Sequence, residues 1–332
     1  MDVMDQSSTN SEFDADQQPL VSVIVCAYNA GPFLVEALES LVAQTYRNLE
    51  ILIVDDGSTD GSVAHAMTKV SDDRIRTIKQ ANGGRAAALN RGLVESKGEF
   101  YTTLDADDRC APLRIERQLQ WMFAHPQLAC VFCGYDLILK RRRKAPLFQA
   151  RSVDECRGLI ERFRMPGHDP TALYRMSMVR ELRYDESLRI GAAFDYILRV
   201  GERHPMMVMG ECLYSYRVHE GAVTKKDPGA RLKYLKEIRR QAMIRRGLPL
   251  EELENIAWFK PRRWTNRDYD NNLAARFVES VLCLRRAGRW GEAAMTGLAG
   301  AMQKPLDPYY YKALAYSVLP LEFVKSLRKS PV

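Results

Sequence analysis

The sequence predicts an α/β fold, with a mostly parallel central sheet flanked by helices and a helical appendage at the C-terminal end. Three observations carry that expectation. Short apolar runs end in carboxylates twice: Ile51-Leu52-Ile53-Val54 stops at Asp55-Asp56, and Phe100 to Leu104 stops at Asp105-Ala106-Asp107-Asp108. Helical patterns lie between the strand-like runs, and beyond Ala230 the strand-like runs give way to helical patterns alone. A buried strand that stops at a carboxylate delivers it to the carboxyl edge of a parallel sheet, where open α/β folds bind ligands. Two acidic strand ends in one domain suggest a metal-nucleotide site.

The elements follow in order. Val21 to Ala27 reads as the first strand and leads into Tyr28-Asn29. The stretch from Pro32 to about Ala43 opens on a proline, as a helix start should, and keeps Leu34, Leu38 and Leu41 on one face. With the strand into Asp55, this makes a strand, helix, strand unit and implies a right-handed crossover. Asp55-Asp56-Gly57-Ser58-Thr59-Asp60 is turn chemistry, in which Asp55 can hold the turn and Asp60 can cap the next helix. Asn82-Gly83-Gly84 is a glycine turn running into an alanine-rich helix from Arg85, and small residues there let backbone approach a ligand closely. Gly98 to Leu104 is the strand that carries Asp105.

The appendage reads as helices over Arg231 to Arg246, Asp270 to Ala287 and Trp290 to Met302, the first two stopped by Gly247 and Gly288. Leu273, Phe277, Val281 and Leu284 form one apolar face. A last segment, Leu321 to Lys329, puts Leu321, Val324 and Leu327 on one face with Lys325, Arg328 and Lys329 elsewhere, a pattern that suits docking or a membrane surface. The expected organisation is therefore a disordered tail over 1–19, a catalytic domain over 20–228 and a basic helical region over 229–332.

Composition narrows the class. The 332 residues, 46% hydrophobic and 27% charged, suffice for an enzyme-sized core. Seven scattered cysteines argue for a reducing compartment, and Cys130-x-x-Cys133 lies in an apolar run without a second pair, as core thiols do. Met1 to Gln18 is polar and acidic, unlike a signal peptide, and no stretch reaches the roughly 18 apolar residues of a membrane span. The expected location is cytoplasmic, with peripheral contact to the inner membrane face. From Ala230 to Val332 there are 20 Lys and Arg against 10 Asp and Glu, while the rest of the chain is slightly acidic. No nucleic-acid recognition motif accompanies that basicity, so anionic lipid or a polyanionic acceptor is the expected partner. The run Lys140-Arg141-Arg142-Arg143-Lys144 reads as a solvated hairpin end.

The ordered set of Tyr28-Asn29, Asp55 to Asp60, Asn82 to Gly92, Asp105-x-Asp107 and Tyr216-Arg217-Val218-His219 resembles the inverting glycosyltransferases of family 2, with the GT-A fold. The resemblance covers about Val21 to Thr224. It implies transfer of a sugar from a nucleoside diphosphate donor, a UDP-sugar by expectation, to a hydroxyl on a saccharide or lipid-linked acceptor in cell-surface polysaccharide or glycolipid synthesis. It also implies a divalent cation, Mn2+ or Mg2+, bridging the diphosphate. By that resemblance Asp107 is the metal ligand, Asp105 contacts the ribose or helps the metal, Asp108 supports them, and Asp56 accepts a hydrogen bond from the base. Tyr28 offers a ring to stack on that base. Arg85 is a donor for base or phosphate, and Arg217 and His219 would close over the diphosphate. His168 is either an ordinary loop residue or a contact to donor or acceptor.

The chain departs from the family at the catalytic base. The family places Glu-Asp six to seven residues before a helical arginine, and the ungapped match puts Ala192 and Ala193 there. Asp195 is the nearest carboxylate, but two residues along a helix is about 200°. It takes the Glu-Asp place only if the helix starts later or the preceding loop is one step shorter, and that is the expectation adopted. Asp185 and Glu186 are the other acidic residues nearby. Two further classes compete: a nucleotidyltransferase, which would need a glycine-rich phosphate loop that Cys26 to Pro32 lacks, and a sugar-nucleotide-binding protein without turnover.

Overall fold

A computed structural model describes residues 18–138, 145–218, 228–251, 266–320 and 322–324. The described residues fall into two compact units, one within Met1–Cys133 and Arg151–Val208, the other within Gly134–Ala150 and Met209–Val332. The second unit thus begins earlier than the expected break after residue 228 and also takes in residues 134–150. Two strands, β6 (Cys130–Ile138) and β8 (Met206–Arg217), start in the first unit and finish in the second, which moves the division inside them.

The first unit is built on parallel strands. β1 (Val21–Ala27) pairs with β2 (Leu49–Asp55) and, on its other side, with β4 (Phe100–Asp105); β3 (Ile75–Lys79) pairs with β2. Helices α1 (Phe33–Val42), α2 (Ser62–Lys69) and α3 (Arg85–Glu95) make the crossovers. The apolar run of β1 is buried, as expected of a central strand covered on both faces. α1 begins right after Pro32 and buries Leu34, Leu38 and Leu41, the face its sequence predicts. α3 packs so closely on β1 that a Cβ at Gly92 would lie 2.5 Å from Ile24 Cγ2. Small residues in that helix therefore serve packing as well as the turn before it.

The chain continues through β5 (Arg109–Cys110), α4 (Arg114–Ala124), β6 (Cys130–Ile138), α5 (Val153–Glu161), β7 (Ala172–Arg175), α6 (Met176–Val179), α7 (Ala192–Gly201) and β8 (Met206–Arg217). β7 lies antiparallel between β4 and β6, giving the order β3-β2-β1-β4-β7-β6. Cys130 and Cys133 are buried on β6 and unbridged, as core thiols.

The second unit holds α8 (Pro228–Arg245), α9 (Asn266–Arg286), α10 (Trp290–Ala301) and α11 (Pro308–Val318). Leu273, Phe277, Val281 and Leu284 are all buried and join Tyr310 and Ala313 in one apolar core. Arg285 is buried with them, and its NH1 donates to the carbonyls of Tyr316 and Leu319, which close the end of α11. That arginine supplies hydrogen bonds the last helical carbonyls lack. Among the described residues no helix is long and apolar enough to cross a membrane. The Lys140 to Lys144 run lies outside the described residues, as does most of Leu321 to Lys329.

Candidate active site

The strand register brings the predicted carboxylates to one edge. Ala27 stands opposite Asp55 and Cys26 opposite Asp105, so β1, β2 and β4 end together. Tyr28 follows β1 with its ring 55% exposed, available for stacking. Asn29 adopts φ +49, a left-handed conformation that Asn tolerates better than most residues. Its backbone N–H donates to Ser58 Oγ at 3.1 Å and its Oδ1 accepts from Thr59 N at 2.8 Å, which ties the loop after β1 to the loop after β2.

Asp55 Oδ1 accepts from Ser58 N at 2.9 Å and holds the turn, as its position suggested. Asp60 does not occupy the N-cap position itself. Gly61 does, and Asp60 Oδ1 accepts from Ser62 N at 3.0 Å while its Oδ2 accepts from Gly31 N at 3.1 Å. Asp56 is buried and takes three donors: Gln80 Nε2, Gly83 N and Gly84 N, each at 2.8 Å. The last two are backbone N–H groups at the start of α3, where a negative charge is favoured. Gly84 has φ +88, a conformation that only glycine adopts without strain, and it turns those N–H groups onto the carboxylate. A carboxylate has about four acceptor sites, so Asp56 keeps capacity for one further donor.

The end of β4 is more open. Asp105 is 27% exposed and Asp107 is half-buried, while Asp108 is buried and its N–H donates to the Asp105 carbonyl at 3.0 Å. Arg85, the first residue of α3, donates Nε and NH2 to Asp105 Oδ1 at 3.2 and 2.8 Å. Its NH1 and NH2 also reach Asp169 Oδ2, both at 3.4 Å. Partial loss of solvent around the guanidinium works against the Arg85 charge, yet the two carboxylates hold its pKa well above the ordinary value. Burial pushes the nearby Cys26 thiol up to about 12, against the pull of Arg85, so it stays neutral.

Asp169 was not singled out by sequence. It opens a short turn, Asp169–Thr171, and its Oδ1 accepts from Tyr174 Oη at 3.2 Å and Tyr184 Oη at 3.3 Å. Burial raises its carboxyl above the ordinary value, with Arg85 pulling it down and Asp105 adding to the rise. Buried Arg114 of α4 fixes the turn by donating NH2 to the Pro170 carbonyl at 2.6 Å. The only sequence signal was His168-Asp169-Pro170, read there for its histidine; the His168 carbonyl in fact accepts from Thr171 N and Oγ1.

Of the other predicted residues, Asp195 lies on α7, Asp185 and Glu186 in the segment before it, and Arg217 on β8. α7 starts at Ala192 after Gly191, so Ala192 and Ala193 hold its first two positions and the later helix start expected for Asp195 is not what forms. Asp195 is buried in the first turn, where its Oδ2 accepts from Arg199 Nε at 2.7 Å. Asp185 Oδ1 accepts from Ser187 N and Oγ, and Glu186 Oε1 accepts from Asn90 Nδ2. Arg217 ends β8 in the second unit, and His219 lies outside the described residues.

Parallel strands ending on one edge in an exposed aromatic ring and acidic turns define a GT-A type α/β protein. Structural comparison agrees: S. aureus TarS 1–349 in complex with UDP-GlcNAc superposes with a TM-score of 0.59 at 16% identity, over 89% of this chain and 90% of that one. Mannosyltransferase PcManGT from Pyrobaculum calidifontis, in complex with GDP-Man and Mn2+, gives 0.55 at 21% identity, over 95% and 89%. Residues 22–183 match Glycosyl transferase family 2. An uncharacterized glycosyltransferase of Rickettsia typhi is 29% identical over 272 residues, 77% of this chain and 84% of that protein. Other relatives are longer, and the match spans only 18% of one from Rickettsia bellii. The domain over residues 22–183 belongs to glycosyl transferase family 2, and its relatives support a glycosyltransferase.

Proposed function

We propose that the chain transfers a sugar from a nucleoside diphosphate sugar, a UDP-sugar first, to a hydroxyl acceptor by direct displacement with inversion. The observation that carries this reading is the shared edge on which Tyr28, Asp56, Arg85, Asp105 and Asp107 end. Tyr28 would stack on the base, Asp56 would accept from it with its remaining acceptor capacity, and Arg85 would donate to the diphosphate. UDP-GlcNAc in TarS and GDP-Man in PcManGT support a nucleotide-sugar donor.

The residues at the end of β4 suit a divalent cation. Among the described residues no group of three His, Cys, Asp or Glu side chains is arranged to hold a metal. Asp105 and Asp107 instead offer the one or two carboxylates with which Mg2+ or Mn2+ is held when phosphate oxygens complete its shell. Such a cation would neutralise the leaving diphosphate. PcManGT was solved with Mn2+, which supports the same reading. Thermal-shift measurements with nucleoside diphosphates and their sugars, with and without Mn2+, test it directly. A ligand at 100 times its dissociation constant adds about 2.7 kcal/mol, and no shift with any of them would refute the reading.

Asp195 is the proposed proton acceptor, oriented by Arg199, which in turn donates NH2 to the Arg183 carbonyl at 2.6 Å. Asp195→Asn is expected to lower transfer about 100-fold with donor affinity unchanged. If the variant instead loses stability and keeps its turnover, the Arg199 pair is structural and the base lies elsewhere. The acceptor is proposed to be a saccharide or lipid-linked hydroxyl at an anionic membrane surface, on the strength of the basic residues beyond Ala230. Binding to vesicles containing anionic lipid, lost on deleting Leu321 to Val332, is the expected outcome.

A further inference from the structure

Arg85 has two acidic partners that differ in how firmly they are held. Asp169 is 4% exposed and anchored through one oxygen: its Oδ1 accepts from the Tyr174 and Tyr184 hydroxyls. Those rings belong to a buried stack in which Tyr101 lies 4.8 Å from Tyr174 and Tyr184 lies 4.2 Å from Tyr196, between ring centroids. The Tyr101 hydroxyl donates to Tyr196 Oη at 2.6 Å. Behind the carboxylate, Arg114 holds the Pro170 carbonyl and Gln118 Nε2 donates to the Thr171 carbonyl at 2.9 Å. Arg85 and Asp105, at 40% and 27% exposure, are the groups with room to adjust.

We propose that Asp169 is a positioning residue that holds Arg85 for the donor diphosphate, an inference that rests on the donor-site reading above. The guanidinium is shared between Asp105 at 2.8 Å and Asp169 at 3.4 Å. Without the Asp169 charge it would close on Asp105 alone, and an arginine–carboxylate pair closed in the two-pronged manner is the strongest arrangement open to it. That closure would take Arg85 away from phosphate oxygens and Asp105 away from ribose and cation together. The tyrosine stack thus acts at a distance: it fixes Asp169, and Asp169 fixes Arg85.

The test measures UDP and GDP affinity, with Mn2+, for the full chain and for Asp169→Asn, Arg85→Ala and the double variant. Asparagine keeps an oxygen for the two tyrosine hydroxyls and removes the charge facing Arg85. Asp169→Asn is expected to weaken binding about 10-fold, and the double variant to bind no more weakly than Arg85→Ala alone, because contacting residues that act through one another are not additive. Affinity within twofold of the unmodified protein, with only the unfolding midpoint lowered, would overturn the proposal, as would losses that multiply in the double variant. If Asp169→Asn does not fold, Arg85→Lys replaces it, since a point charge on a flexible stem cannot bridge two carboxylates as a guanidinium does. Wild-type affinity there would equally overturn it. Failure of the unmodified protein to bind either nucleotide would bring down the donor-site reading and this inference with it, whereas the other outcomes bear on Asp169 alone.

Discussion

Asp55 and Asp56 after β2 are buried and bonded mostly to backbone N–H groups, whereas Asp105 and Asp107 after β4 are half-buried and Asp105 is bonded to a side chain with room to move. Both pairs end parallel strands that flank β1, yet the second is the more open and Asp105 there has a side-chain partner. The difference lies in what each meets. Asp56 meets the turn before α3, whose N–H groups cannot leave without unfolding the helix start. Asp105 meets Arg85, a long side chain 40% exposed. A carboxylate satisfied by backbone builds a frame, and one satisfied by a flexible cation keeps its chemistry available.

The sharpest way to break the comparison is at Asp107. Asp107→Ala is expected to lower sugar transfer by about 100-fold or more while unfolding in urea shifts by less than about 1 kcal/mol. Retained activity with the same metal dependence would remove the open strand end from the chemistry. At Asp56 stability is expected to fall together with donor binding. Truncation to alanine takes the shared acceptor from the half-buried bonds of Gly83 N, Gly84 N and the Gln80 amide, so the expected cost is about 1 to 3 kcal/mol in equilibrium unfolding. A stability loss under about 0.5 kcal/mol would mean that the β2 end is not a frame. Smallest of the three is Asp55→Ala, which removes one bond to Ser58 N and should cost about 1 kcal/mol with donor affinity nearly unchanged. A larger effect on donor binding than on stability would move Asp55 into the site.

Much of this arrangement was legible residue by residue. The apolar runs of β1, β2 and β4 are continuous and stop at carboxylates, Pro32 marks the start of α1, and the Leu273, Phe277, Val281 and Leu284 face repeats at helical spacing. These are local patterns, and local patterns survive without tertiary information. The placement of carboxylates at the ends of β2 and β4 was legible for the same reason. Asp169 was not, because what makes it special is the convergence of Arg85, Tyr174 and Tyr184, which lie 84, 5 and 15 residues away in the chain. The helix start at Ala192 was equally hidden, since Gly191 at φ +90 ends the loop one step before the first alanine rather than after it.

The sequence by itself determined that β1, β2 and β4 would form, that the last two would end in carboxylates and that the C-terminal helices would be basic with one apolar face. Those properties depend on the period of apolar residues and on which residue follows each run. Only the tertiary structure decided which carboxylate is a frame and which is open, that Arg85 is shared between Asp105 and Asp169, and that Asp195 is paired with Arg199. Those outcomes depend on hydrogen-bond partners brought from distant segments, and a carboxylate reads the same in sequence whether its partner will be a backbone amide or an arginine.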